Sequence, residues 1–213
     1  RWLKDRDTGI DHEPVYRVWM QESVAPAVNY AERPGRWVSE DPWPSSDIQH
    51  KTLHLHGDNT LQDTPGEPGR RVFRSPASTG MDGEEWSSFG LAGELALDQS
   101  SEDGRSLCFE TVPLTERLEL LGAPVIELEL ASDKPVAQLA ARLCDVAPDG
   151  ASTLVTYGVL NLTHRDSHEN PEPLEPGQRY NVRVQLNDIA QAFPAGHRLR
   201  LGLSTCYWPL VWP

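Results

Sequence analysis

Short bursts of alternating apolar and polar residues fill the second half of the chain, most of them closed by proline or glycine. The clearest is PAGHRLRLGLST, where Leu199, Leu201 and Leu203 alternate with Arg198, Arg200 and Gly202. A period of two sends successive side chains to opposite faces, so this segment is predicted as a strand with one buried and one wet face. Pro194-Ala195-Gly196 supplies the turn before it. Ile126, Leu128 and Leu130 alternate with Glu127 and Glu129, and Val182 and Val184 with Arg183 and Gln185, as in half-buried strands. Pro148-Asp149-Gly150 predicts a tight hairpin turn between two long strands. About nine strands at this spacing predict an all-β fold, a sandwich or jelly roll.

The first half is less regular. RWLKDRDTGID reads as the end of a helix, stopped at Thr8-Gly9. PVYRVWMQ follows as the first strand, with Tyr16, Val18 and Met20 on one face and Arg17 on the other beside Trp19. Residues 25 to 46 are rich in proline and tryptophan; they predict an ordered loop region in which Trp37 and Trp43 are buried. TLHLHGDNTL reads as a strand and a turn. Residues 62 to 105 form a long polar stretch with few apolar anchors, which in a compact domain marks a functional or packing loop.

At 213 residues, with 38% hydrophobic and 24% charged, the composition is that of a folded domain rather than a disordered chain. The formal charge of −13 repels phosphate backbones and argues against a nucleic-acid partner. No apolar run approaches the roughly 18 residues that cross a bilayer, so no membrane partner is expected. Cys108, Cys144 and Cys206 are odd in number and lie in apolar runs, which predicts buried free thiols and fits a reducing, cytoplasmic compartment. The sequence begins at Arg1 and ends at Trp212-Pro213, and is expected to be part of a longer protein.

Signals for chemistry are sparse. The nucleophile elbow G-x-S-x-G is absent: the segments beginning at Gly150 and Gly202 lack the second glycine, and the one ending at Gly80 lacks the first. His54 and His56 would share a strand face, but two histidines on a polar face are expected to be solvated rather than to hold zinc. His164, Asp166 and His168 sit in a polar loop, with the same expectation. His197 opens a strand, and a structural hydrogen bond is expected of it, because no nucleophile and acid stand beside it in the sequence. Asp82, Glu84, Glu85, Glu102 and Asp103 lack a calcium-loop pattern and read as solvated charge. No catalytic residue, metal ligand or cofactor is assigned. Trp86 and Phe89 lie between Gly80, Gly83 and Gly90 in GMDGEEWSSFG; such aromatics either wall a pocket or pack onto the sandwich.

The order of RWLKDRDTGID-HEPVYRVWMQ, RPGRWVSEDPWP, TLHLHGD, DQSSEDGRSLCFETVPL, LELLGAPVIELELASDKP, ARLCDVAPDGASTLVTYGVLNLTHR, PEPLEPGQRYNVRVQL and FPAGHRLRLGLSTCYWPLVWP resembles the C-terminal domain of the X-Pro dipeptidyl-peptidase and cocaine-esterase (CocE/NonD) group of serine hydrolases. The resemblance covers nearly the whole chain. It implies a jelly-roll sandwich of the galactose-binding-like type over residues 13–213, with a final strand missing. Residues 1–12 would be the end of the helix that leaves an α/β-hydrolase domain carrying the Ser-Asp-His triad. It also implies that Trp86 and Phe89 belong to the wall of that domain's substrate pocket. The expected partners are this catalytic domain of the same protein and a small ester, amide or peptide substrate. The expected function is therefore an accessory domain of an enzyme that works by acyl transfer. Two alternatives are a carbohydrate-binding module using Trp37, Trp43 and Trp86, and self-association to a homo-oligomer through exposed strands and the end carrying Trp208 and Trp212.

Overall fold

The alternating stripes become the inner faces of packed sheets. The computed structural model describes residues 8–83 and 96–213. Twelve strands occur among these residues: β1 (Tyr16–Gln21), β2 (Gly35–Glu40), β3 (His54–Leu55), β4 (Leu61–Gln62), β5 (Leu107–Glu110), β6 (Leu118–Gly122), β7 (Val125–Ala131), β8 (Gln138–Val146), β9 (Ser152–Asn161), β10 (Arg179–Gln185), β11 (Ile189–Phe193) and β12 (Arg198–Ser204). The one α-helical segment among them is the single turn α1 (Ser100–Asp103). Gly9, where the sequence predicted the helix end to stop, takes φ 73° and begins a 3-10 turn over Ile10–His12. The rest of that helix end, residues 1–7, lies outside the described residues.

The central sheet runs β5-β12-β8-β9, and β10-β7 pairs separately; a third sheet runs β2-β1-β11-β6. Pairing is antiparallel except for a parallel contact of β1 with β11 at Gln21 and Gln191. Leu201 of β12 lies opposite both Phe109 of β5 and Leu143 of β8. These side chains, with Leu139, Ala141, Leu199 and Leu203, meet Ile126, Val182, Val184 and Phe193 in one continuous core. The result is an all-β sandwich. Burying each such aliphatic side chain is worth about 1.5–3 kcal/mol relative to exposure.

Local turns follow the predicted chemistry. Gly150 takes φ 95° and its N–H donates to the Ala147 carbonyl at 2.9 Å, closing the β8–β9 hairpin. The β8–β9 pairing carries a bulge at Leu143/Cys144, while β8 pairs with β12 in unbroken register, which puts Asp145 opposite Leu199 near the end of β8.

Two expectations need correction, and one strand had no signal in the sequence. The proline- and tryptophan-rich region contains a strand, β2, and Trp37 on it is 63% exposed, with Trp43 at 41%. Trp37 sits edge-on to Trp19 and under Arg17, while Trp43 stacks on Tyr16 at 4.2 Å. These contacts hold the rings without enclosing them. Strand β11, IAQAF, shows no apolar alternation because residues 190–193 are all buried, Gln191 included. The polar face of β12 is not wet: Gly202 packs on the Arg142 side chain and Arg200 is paired with carboxylates, because another part of the chain covers that face.

Candidate functional site

The covering layer comes from the polar stretch expected to be loop. Residues 75–83, 98–106 and 205–211 fold over the outer face of the central sheet, and a buried ionic network joins them to it. Arg142 of β8 has no exposed surface. Its guanidinium donates to Gln99 Oε1 at 2.6 Å and Ser106 Oγ at 2.7 Å, lies 3.4 Å from Asp103 Oδ1, and faces the Tyr207 ring at 4.8 Å. Asp103 also accepts from Arg200 Nη1 at 2.7 Å and Ser152 Oγ at 2.8 Å. Glu102 is fully buried and accepts from the Gly80 N–H at 2.5 Å, the Asp82 N–H at 3.1 Å and Arg105 Nη1 at 2.8 Å. Glu102 and Asp103 are therefore not solvated charge, as their sequence context implied. Charges held this deep need both an opposite charge and hydrogen bonds, and they have both.

The network closes the stem of segment 84–95. Gln99 is fully buried at its centre. Its Nε2 donates to the Leu97 carbonyl at 2.9 Å and to the Gly83 carbonyl, one on each side of the segment. Its Oε1 accepts from Arg142 and from Tyr207 Oη at 2.6 Å, which uses the full capacity of the amide. Its own N–H donates to the Ser152 carbonyl at 2.8 Å, fixing it to β9. At Gly83 a Cβ would lie 3.0 Å from Gln99 Nε2 and collide with the Glu102 side chain, so the close approach requires glycine. Trp86 and Phe89, the predicted pocket-wall residues, lie within 84–95, outside the described residues.

All three cysteines are free. Burial pushes the Cys108 thiol up to about 11 and that of Cys144 to about 12, with Asp103 adding to both, which leaves them weak nucleophiles at neutral pH.

A serine, an aspartate and a histidine do meet elsewhere. His197 Nδ1 lies 2.8 Å from Asp145 Oδ1, and Ser23 Oγ donates to Asp145 Oδ2 at 2.5 Å. They face a pocket of about 220 Å³ whose walls include Val24, Pro26, Thr153 and Pro194. Acyl transfer needs the order serine–histidine–aspartate, with the imidazole taking the hydroxyl proton. Here the aspartate stands in the middle and the serine hydrogen bonds to the acid, so no base activates Ser23. The group works as a tie: with Thr153 Oγ1 donating to the Val24 carbonyl at 3.0 Å, it holds the segment after β1 to the central sheet. The hydrogen bond expected of His197 is present, and the acid that receives it comes from 52 residues away.

The other histidines do not converge on a site. Only His54 lies in β3; the His56 ring nitrogen Nε2 is 2.7 Å from the Thr64 carbonyl oxygen, and Gly66 packs on the ring. The His164 and His168 rings lie 5.5 Å apart, and the Arg165 guanidinium packs over Tyr180 at 4.3 Å. Sequence reasoning missed Arg142 and Gln99. The one signal for Arg142 is a lone arginine within the apolar run AARLCDV, which demands a buried partner; Gln99 gives none.

Comparison with known proteins gives a consistent result. Residues 8–213 match the family described as the X-Pro dipeptidyl-peptidase C-terminal non-catalytic domain. The chain is 25% identical over 193 residues to the cocaine esterase of Rhodococcus sp., covering 81% of this chain and 32% of that protein. It is 23% identical over 205 residues to the Xaa-Pro dipeptidyl-peptidase of Lactobacillus delbrueckii subsp. lactis, covering 78% and 25%. A solved α-amino acid ester hydrolase superposes with a TM-score of 0.70 at 25% identity, covering 83% of this chain and 33% of that one. The chain thus spans a quarter to a third of the length of these relatives. With the sandwich, the misordered Ser23–Asp145–His197 group and this match together, the chain belongs to the family of X-Pro dipeptidyl-peptidase C-terminal non-catalytic domains.

Proposed function

We propose that this domain braces an α/β-hydrolase-type catalytic domain of the same protein and shapes access to its substrate. In this reading a serine upstream of this chain attacks an ester or amide carbonyl through an acyl-enzyme, and this sandwich supplies rigidity and part of the pocket wall. The observation that carries the reading is the stem of segment 84–95. The twelve residues 84–95, which include Trp86 and Phe89, are flanked by Gly83 and Leu97, and both of these are bonded to a single buried side chain, Gln99. Binding surfaces on rigid scaffolds are commonly built this way. The exposed Trp37 and Trp43, with Tyr16 at the start of β1, offer the brace an apolar contact next to the segment that leads into the sandwich.

The test compares the full-length protein with residues 1–213 on p-nitrophenyl esters and X-Pro amides. The full-length protein is expected to turn over one of these classes and the 213-residue chain neither. In the full-length protein, Trp86→Ala combined with Phe89→Ala is expected to raise KM severalfold with kcat little changed. Turnover by the short chain, or an unmoved KM, defeats the reading. The exposure of Trp37 and Trp43 also favours a second reading, a carbohydrate platform. Glycan-array binding lost in Trp37→Ala would select it.

A further inference from the structure

We propose that the gap between β1 and β11 is a slot for a short free peptide, which lies in the plane of the sheet as an extra strand parallel to both. β1 is paired with β2 along its whole length, and β11 with β6, yet the two meet each other at Gln21 and Gln191 alone among the described residues. Short of that pair they enclose a cleft of about 260 Å³. The lining marks it as a break in the sheet and not a hollow on one face. Val18 and Trp19 of β1 point to opposite faces, as do Ala190 and Gln191 of β11, and all four line it. Backbone groups of successive strand residues point to opposite sides. The Glu22 N–H donates to the Pro34 carbonyl at 2.9 Å, on the β2 side, so Gln21 and Trp19 turn theirs toward β11. Gln21 meets its partner there, and Trp19 offers the cleft a donor and an acceptor. Such an inner edge is a template for an added strand.

The charges select the ligand. With Gln21 opposite Gln191, Asp188 stands three residues out, about 10 Å of strand, at the mouth of the cleft. Asp188 is exposed, and among the described residues no cation pairs with it. At the closed end the Arg33 guanidinium lies 3.5 Å from Gln191 Oε1 and over the Tyr30 ring, and its Nε is buried with no partner among the described residues. A peptide parallel to the two strands brings its amino group to Asp188 and its carboxylate toward the Arg33 end. Two or three extended residues span that distance. The slot is separate from segment 84–95 and rests on neither the brace nor the pocket wall.

The experiment uses the full-length protein and the tripeptide Val-Ala-Val with free ends. Equilibrium dialysis gives the affinity, the intact peptide being counted by mass spectrometry, and hydrogen exchange locates the bound peptide. Saturating tripeptide is expected to slow exchange severalfold both in residues 16–21 and in residues 187–192. Acetyl-Val-Ala-Val-amide, which lacks both charges, is expected to bind about tenfold more weakly. Val-(N-methyl-Ala)-Val, which lacks one backbone donor, is expected to bind about fivefold more weakly. Asp188→Asn alters an exposed side chain; it is expected to weaken free Val-Ala-Val by roughly threefold, the worth of an exposed ion pair, and to leave the capped peptide unchanged. Equal binding of the capped and free peptides, an Asp188→Asn variant that binds the free peptide as the parent does, or protection of one strand only overturns the proposal. Absence of binding up to about 10 mM tripeptide overturns it as well.

Discussion

The two faces of the central sheet are both covered, and they are covered by different chemistry. On the inner face Leu199, Leu201 and Leu203 interlock with Phe109, Leu139 and Leu143 and with the β7–β10 pair beyond. On the outer face of the same strands stand Arg142, Arg200 and Glu110, and the layer over them brings Gln99, Glu102 and Asp103. The inner face is non-directional: many aliphatic shapes of similar volume fill it. The outer face is directional, because each buried donor and acceptor must find a particular partner. A face of that kind is suited to fixing where a loop begins and ends. Both faces therefore hold the sheet, one by shape-tolerant packing and the other by bonds that each require a particular partner, among them those to Gly83 and Leu97.

Substitutions on the two faces sharpen this contrast. Arg142→Met should be the most disruptive, because it strips Gln99 and Ser106 of a donor and leaves Asp103 with fewer compensating charges. Breaking a buried pair in this way costs about 3–5 kcal/mol. Leu201→Ala on the inner face should cost about 2–5 kcal/mol through lost burial and a cavity. Urea unfolding of both variants measures the two costs. If Arg142→Met costs less than about 1 kcal/mol, as a surface pair would, the outer face is a passive wrapping and its bonds are not the directional network described.

The inner face was legible in the sequence because alternation is its only requirement. HRLRLGLS, VIELELA and RYNVRVQL each show a clean period of two, and each is a strand in the core. The outer face left almost no trace. Glu102 and Asp103 sit in QSSEDGRS, which reads as solvated turn, and only the return of residues 75–83 and 98–106 across the sheet buries them. That return is a tertiary event with no local period. Ser23, Asp145 and His197 are likewise scattered, Ser23 lying 122 residues from Asp145. The tryptophans failed in the other direction. A preference for burial assigned Trp37 to the interior, yet on β2 it points outward, and half-covered rings of this kind are ordinary where a further surface is to be contacted.

A smaller effect is expected where polar groups form a tie rather than a network. Ser23→Ala removes one of the two partners of the buried Asp145 and leaves Oδ2 without its donor. The cost should be about 1–3 kcal/mol, the penalty of an unsatisfied buried group. Hydrolysis by the full-length protein should be unchanged, because Ser23 is bonded to the acid and not to a base. Loss of turnover with the fold intact would mean that the Asp145-centred group takes part in the chemistry.

The smallest effect belongs to charges outside both faces. Glu119 on β6 accepts from Arg36 of β2 at 2.8 and 2.7 Å and from Arg117 Nε at 2.8 Å, and Arg117 also holds Glu22. The hydrogen bonds from Arg36, and then those from Arg117, lower the Glu119 carboxyl from 4.5 to about 2. Its folded pKa lies below the unfolded one, so the stabilisation is fully present above about pH 4.5 and is lost as the pH falls through about 2. Arg36 is half exposed and solvent screens the pair, which keeps its worth small. Glu119→Gln should flatten the stability curve across that acid window, and about 1 M salt should flatten the parent curve in the same way. Arg142 and Asp103 have almost no contact with solvent, so salt should leave their contribution nearly untouched. Equal salt sensitivity in Arg142→Met and Glu119→Gln difference measurements would place the outer network in water after all, and with it the stem of segment 84–95.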